Sequence, residues 1–319
     1  MIVRKSGFDK PRQKGHHGFG MAKSRVVIIR GPGVWTPDGT LDPESVRRMI
    51  DRGFRLLTGR ADSRESALAV FKPEDRIGIK INTIGGRALS TRPETALSLA
   101  QWLSRNGIEG RNITIWDRTN RELREAGYAI STGRDGPRIL GTDDARAGYG
   151  RVLVSHGEVG SLFSTIQTDA VTASISLAIL KDHGLAGITA GMKNYFGAIH
   201  NPNKYHDSHC DPYVAEVFDS PQVKEKHRLT IIDALLVQYH RGPSYHPRWA
   251  EKNGSLIFSL DPVAADRAGW DLIERLRASK GLPTLGEEGR PPLYLATAEK
   301  MGLGRMSPDD IETVTEEMR

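Results

Sequence analysis

Residues 179–211, ILKDHGLAGITAGMKNYFGAIHNPNKYHDSHCD, crowd lysines, histidines, carboxylates and a thiol into one short segment. Lys181, Asp182 and His183 follow the apolar run VTASISLAIL, and Gly184 lets the chain turn sharply after them. Gly187, Ala190 and Gly191 allow another backbone or a flat ligand to come close, with Lys193 and Asn194 just beyond. A lysine in so tight a setting has its pKa lowered by desolvation, which suits acid–base or covalent work. Lys181, His183 and Lys193 are therefore the expected catalytic groups. The plainer alternative keeps the glycines for packing and lets Lys193 reach solvent.

Downstream, His200, His206 and His209 are interleaved with Asp207, Cys210 and Asp211. Those ligand types suit a divalent transition metal such as Zn, Ni or Fe, with the three histidines as expected ligands. The spacing fits no HExxH or CxxC template, and a polar loop ordered by Asn, Pro and Asp turns is the alternative.

Two further groups point to substrate binding. In IKINTIGGR, Lys80 and Asn82 stand on a strand that otherwise reads as buried, and Gly85-Gly86 opens a backbone nest beside Arg87. In WDRTNREL, Asp117 ends a strand where it would pair with Lys80 or hold a metal, and Arg118 would grip a carboxylate or phosphate. The alternatives are a glycine turn with Lys80 paired to a core carboxylate, and a helix cap built by Asp117 and Thr119. Lys80, Asn82, Arg87, Asp117, Arg118 and Asn194 are the expected substrate contacts. The Gly- and Pro-bearing loop QYHRGPSYHPRW is expected to wall the pocket.

The elements that position these groups follow from periodicity and breakers. Strands are expected at residues 24–30, 76–81 and 112–117, each followed by a helix. Asp42-Pro43 opens the first helix, a short one covers residues 63–70, Thr91 caps a third to Arg105, and Thr119 caps a fourth. Residues 128–150, rich in Gly, Arg and Asp, read as wandering surface chain. A strand near 151–155, a helix near 161–167 and a strand at 171–180 resume the pattern. GLAGITAGMKNYFGAI reads as a small-residue helix, and Asp211 as the cap of a helix over PYVAEVF. Strands at 228–234 and 255–260 precede a helix capped by Asp261-Pro262. This alternation implies right-handed crossovers and an α/β fold: a mainly parallel sheet flanked by helices, with loop insertions in the C-terminal half. One α/β domain is expected over residues 21–319, with 130–150 the place for any subdivision, behind a disordered basic leader at 1–20.

At 319 residues, 38% hydrophobic and 26% charged, the chain can bury a full core. It has no run of about 18 apolar residues, so no membrane helix is expected. Cys210 is the single cysteine, which excludes an intramolecular disulfide and a cysteine-ligated iron–sulfur cluster within this chain. Of the formal net charge of +6, residues 1–24 supply +5, through Arg4, Lys5, Lys10, Arg12, Lys14 and Lys23 against Asp9. Basic character thus sits in the leader, and nucleic acid is not an expected partner. The leader has neither an apolar signal core nor an arginine pair, so a cytoplasmic location is expected. Homo-oligomerisation stays open.

At IGIKINTIGGRALSTRPE, WDRTNRELREAGY, LKDHGLAGITAGMKNYFGAIHNPNKYHDSHCDPYVAEV and RLTIIDAL, the sequence resembles the bacterial and archaeal family known as domain of unknown function 362. The likeness runs from about Met21 to the C-terminal helix and implies that these segments belong together. It implies no particular activity. Many members carry a twin-arginine leader or a ferredoxin-like cysteine module; this chain has neither, so export and iron–sulfur electron transfer are not implied. A looser likeness, by analogy alone, is to nickel-pincer lactate racemases, which also use Lys and His beside a carboxylate. The expected function is an enzyme, oxidoreductase or isomerase, acting on a small anionic organic molecule by metal- or cofactor-assisted redox or proton-transfer chemistry. The alternative is a non-catalytic metal- or cofactor-binding protein that uses the histidine-rich loop.

Overall fold

The computed structural model describes residues 23–133 and 135–318. The expected leader lies outside the described residues. Along the chain the strands are β1 (Ser24–Arg30), β2 (Ile77–Lys80), β3 (Ile113–Asp117), β4 (Arg138–Gly141), β5 (Val154–His156), β6 (Val159–Ser161), β7 (Ala173–His183), β8 (Gly187–Thr189), β9 (His227–Gln238), β10 (Ala250–Ser259) and β11 (Ile311–Glu317). The main sheet runs β11-β1-β10-β9-β7-β2-β3-β4, with β8 hung on β7. Among the described residues, β10 and β8 alone oppose its common direction. The remaining pairings are parallel, as expected. β5 and β6 form a separate hairpin.

Helices cover both faces. On one side lie α1 (Pro43–Thr58), α2 (Ser63–Leu68), α3 (Pro93–Arg105) and α4 (Asn120–Glu125), sharing a core with Ile77, Ile115 and Ile175 of the sheet. On the other lie α5 (Tyr213–Asp219), α6 (Pro221–Lys224), α7 (Pro262–Ser279) and α8 (Tyr294–Lys300), packed with Trp116, Leu180 and Ile232. Helix starts follow their sequence signals. Asp42 accepts hydrogen bonds from the backbone N–H groups of Glu44 and Ser45, and Asp261 does the same for Val263 and Ala264. Such a cap satisfies N–H groups that the helix itself leaves free, worth about 1 kcal/mol. No helix among the described residues is long and apolar enough to cross a membrane.

Strand order decides where a ligand would sit. β2, β3 and β4 step outward in one direction, whereas β7 and β9 step outward in the other. The order therefore reverses between β2 and β7. In open parallel sheets the crevice beyond the carboxyl ends of strands at such a reversal is where ligands bind.

Several expectations are corrected. Residues 128–150 are not all wandering chain, since β4 pairs with β3 there in parallel register. Its short span and terminal Gly141, pressed against Thr119 and Asn120, hid the strand pattern. The strand near 151–155 belongs to the β5–β6 hairpin, and a short π-helical turn at Ile166–Ala170 replaces the helix near 161–167. The small-residue helix is instead β8 followed by a 3-10 turn at Lys193–Ala198. Gly187 at φ 75° turns the chain back onto β7, and side-chain bonds from α7 hold the next stretch out of a helix. Thr91 does not cap α3. Its hydroxyl donates to the Leu177 carbonyl at 3.0 Å and accepts from the Asn82 N–H at 3.1 Å, tying the β2 loop to β7. Asp211 does not cap α5 either, which starts from Pro212 without a side-chain cap. α8 and β11 were not expected.

Candidate active site

Beyond the carboxyl ends of β2, β3 and β7 lies a cavity of about 370 Å³. That volume suits a small organic molecule. Lys181 and His183 reach it from β7, Asn82 from the loop after β2, and Asp117 and Arg118 from the end of β3. Lys193 and Asn194 enter from the 3-10 turn, and His206 from the following loop. Ile84, Leu185, Phe196, Pro202 and Pro243 supply apolar walls.

The floor is a closed polar network. Lys80, fully buried, donates to Asp117 Oδ1 at 2.7 Å, to the Ile81 carbonyl at 2.7 Å and to Asn194 Oδ1 at 3.3 Å. Asp117 Oδ2 accepts from the Thr83 N–H at 2.7 Å and hydroxyl at 2.6 Å. Asn194 Nδ2 donates to the Lys80 carbonyl at 2.8 Å and to Ser176 Oγ at 3.1 Å. Burial pushes Lys80 toward the neutral form, and the adjacent Asp117 opposes it. This lysine is satisfied by the protein itself.

Lys181 and Lys193 are not. They are 1% and 7% exposed, and among the described residues neither has a carboxylate within ion-pairing distance. Lys181 Nζ reaches Asn82 Oδ1 at 3.4 Å, and Lys193 Nζ lies 3.2 Å from His206 Nε2 and 4.3 Å from the Phe196 ring centre. Desolvation lowers both amines to about 8, and the charge on Lys193 adds to the effect on Lys181. Arg118 contributes a buried Nε with no hydrogen-bond partner. An uncompensated buried ammonium costs several kcal/mol. Keeping two beside one cavity makes chemical sense where an anion enters.

His183 and His206 have tautomers fixed by backbone groups. His183 Nδ1 accepts the N–H groups of Leu185 and Ala186 at 3.2 and 3.1 Å, which leaves its proton on Nε2. Burial, then the charges of Lys193 and its neighbours, push His183 down to about 2. His206 Nδ1 donates to the Pro202 carbonyl at 2.9 Å, so its Nε2 is an acceptor facing Lys193. The two rings stack at 5.6 Å.

Asp182 points away from the cavity. Its carboxylate accepts from Arg290 at 2.5 Å and from the Gly242 N–H at 2.6 Å, and Glu288 links Arg290 with Arg277. This ion network holds the loop after β9 so that Pro243 closes one wall. Asp266 of α7, missed from sequence, accepts from the Gly191 and Met192 N–H groups at 2.6 and 3.1 Å and from the Tyr294 hydroxyl at 3.0 Å. Burial pushes its carboxyl up to about 7 against those donors. Thr83 and Ser176 were missed as well. An acid among the inner-face alanines of α7 is a readable signal, whereas Thr83 and Ser176 resemble any small core residue.

The structure thus gathers Lys80, Asn82, Asp117, Arg118, Lys181, His183, Lys193, Asn194 and His206 around one site, with Lys80 and Asp117 spent on each other. Arg87 is exposed and lines a separate groove with Thr91 and Arg92. The three expected metal ligands do not meet. His200 is exposed against Tyr149, and His209 approaches the Leu185 carbonyl at 3.2 Å. Among the described residues no group of three His, Cys, Asp or Glu side chains converges as a metal cage.

No curated protein matches the chain. A crystal structure of a Thermotoga maritima protein, a structural-genomics target, is similar with a TM-score of 0.43 and 11% identity, over 76% of this chain. The chain spans 60% of that protein's length, and so loose a likeness transfers nothing. Residues 77–271, more than half of the chain and containing every cavity residue named above, match the family described as Domain of unknown function (DUF362), to which this chain therefore belongs.

Proposed function

We propose that the chain is an enzyme that binds a small organic anion at the β2–β7 crevice and moves a proton on it. The observation that carries this reading is the pair of buried, carboxylate-free lysines facing one cavity. Lys181 and Arg118 bind the anionic group by charge-assisted hydrogen bonds. His183 presents Nε2–H to a carbonyl or hydroxyl oxygen beside it. Lys193, at about 8, populates both protonation states near neutral pH and exchanges the proton, with His206 Nε2 as its relay. Ile84 and Leu185, exposed among the apolar lining residues, are covered when the ligand enters, which strengthens each of these interactions.

The test is calorimetric titration of untagged protein with short carboxylates, hydroxy acids, oxo acids and organic phosphates, alongside α-proton exchange into deuterated water followed by NMR. Binding should weaken about 10- to 100-fold in Lys181→Met and Lys193→Met, the size of one charge-assisted hydrogen bond. It should also weaken as pH rises through 8, where both amines lose charge. Variants that bind and exchange like wild type would overturn the reading. Near-stoichiometric metal by elemental analysis, lost in His206→Ala, would move it to metal-assisted chemistry.

A further inference from the structure

Lys193 has surroundings that an acid–base lysine does not require. Its amine is nearly sealed from solvent, lies against the Phe196 ring and has His206 Nε2 as its polar neighbour at 3.2 Å. The Pro202 carbonyl holds the His206 proton on Nδ1, so Nε2 offers a lone pair to the amine and no proton of its own. A second lysine, Lys181, lines the same cavity and reaches Asn82 Oδ1 at 3.4 Å, with no carboxylate in ion-pairing distance among the described residues. On the remaining side His183 has its Nδ1 filled by two backbone N–H groups and keeps Nε2–H as a donor. A nucleophilic amine, an adjacent proton acceptor, a cation to seat a carboxylate and a donor for a carbonyl oxygen are the four parts that imine formation needs.

We infer that Lys193 forms a Schiff base with 2-oxo carboxylic acids seated through Lys181. This deepens the proposed anion site and rests on it. The Lys193 Nζ lone pair forms a C–N bond to the substrate's C2 carbonyl while its surplus proton passes to His206 Nε2. The carbonyl oxygen, hydrogen-bonded by His183 Nε2–H, gains negative charge and then takes the proton back from His206 to give a carbinolamine. A second proton, drawn from solvent through His206, lets the C–O bond break, and water leaves as the nitrogen lone pair closes the C=N bond. One amine, one carbonyl and one proton thus give one iminium ion and one water, with no redox partner required. The iminium acidifies the substrate's C3 hydrogens, and His206 Nε2, neutral again once water has left, takes the proton in place of Lys193. A cavity of about 370 Å³ with Phe196, Leu185 and Ile84 in its walls limits the substrate to a small acid and accommodates an apolar side chain on it.

The experiment is borohydride trapping. Untagged full-length protein is incubated with pyruvate, phenylpyruvate or 2-oxoglutarate and sodium cyanoborohydride, then examined by intact mass and peptide mapping. The expected result is a single reduced adduct on Lys193 with an oxo acid, and no adduct with the matching 2-hydroxy acid. The adduct should vanish in Lys193→Arg and Lys193→Met and form at least tenfold more slowly in Lys181→Met. Calorimetry under the same conditions separates two failures. An oxo acid that binds without an adduct overturns the Schiff base and leaves the anion site standing. Absence of binding by all three acids overturns both for this substrate class. An adduct on Lys181 in place of Lys193 overturns the assignment of the nucleophile.

Discussion

Lys80 has a carboxylate at 2.7 Å, whereas among the described residues Lys193 has none in reach, so the fold leaves the Lys193 charge uncompensated. The free lysine has a stability signature. Desolvation holds Lys193 at about 8 in the fold, against 10.5 for an ordinary lysine, so the unfolded chain binds that proton more tightly. The penalty is fully present below about 8 and fades as pH rises toward 10.5. It amounts to about 3 kcal/mol. Lys193→Met should therefore raise ligand-free stability at pH 7 by about 1–3 kcal/mol, since replacing an uncompensated buried charge by an apolar side chain is commonly favourable. Urea denaturation at pH 7 and at pH 10 is the check, with the gain shrinking at the higher pH. A variant less stable than wild type at pH 7, or a gain independent of pH, would mean the ammonium is not strained. At this scale the sequence carried part of the site. Lys80 and Asp117 were readable as partners because both end buried strands. The histidine cage was not there to be read, since Ser208, His209 and Cys210 all adopt positive φ and carry His209 toward the Leu185 carbonyl. Residue types suggested ligands, and backbone direction, which those types do not specify, keeps them from converging.

Elements with strong local signals matched their expectations: β1, α1 with its Asp42 cap, β3, and α7 with its Asp261 cap. The segment that carries Lys193 did not, because nothing local specifies it. Gly and Ala leave its backbone free, and its shape is imposed by a residue some 75 positions away, Asp266. It follows that Asp266 positions Lys193 without touching the cavity. Asp266→Ala leaves the Gly191 and Met192 N–H groups and the Tyr294 hydroxyl buried without their acceptor. Each such loss costs about 1–3 kcal/mol, so the variant should be destabilised by about 3 kcal/mol or more. Anion binding should weaken with it as the 3-10 turn loosens. Amide hydrogen exchange at Gly191 and Met192 distinguishes this local effect from general weakening, because those two amides should gain more exchange than amides of β3. Equal protection at both amides in the variant and wild type would refute the clamp.

The sheet joins the far ends of the chain, since β11 lies parallel to β1 and both reach the rest through β10. Within the sheet, the strands that build the cavity, β2, β3 and β7, join that half through the β7–β9 and β9–β10 pairings, and α1 adds a second link by packing on both β1 and α3. Those two seams are long, although register shifts interrupt both, at Lys252/Ser255 in one and at Ser174/Ile175 and Ile179/Lys181 in the other. Their length argues for one cooperative unit in which ligand energy at the β2–β7 crevice is felt at the distant edge. The tryptophans test this, because Trp35 packs at the seam itself, in one cluster with Ile179 of β7, Leu236 of β9 and Ala250 of β10, while Trp116 lies on β3 beneath the cavity floor. A bound anion at about 100 times its dissociation constant stabilises the fold by about 2.7 kcal/mol. For a chain of this size that corresponds to about 5 °C in Tm. Thermal unfolding followed by far-UV circular dichroism and by fluorescence of single-tryptophan variants retaining Trp35 or Trp116 should give one transition that moves by the same amount in every probe. Two transitions, with only the Trp116 signal moved by the anion, would separate the cavity strands from the β7–β9–β10 seam where Trp35 packs and would refute the single unit.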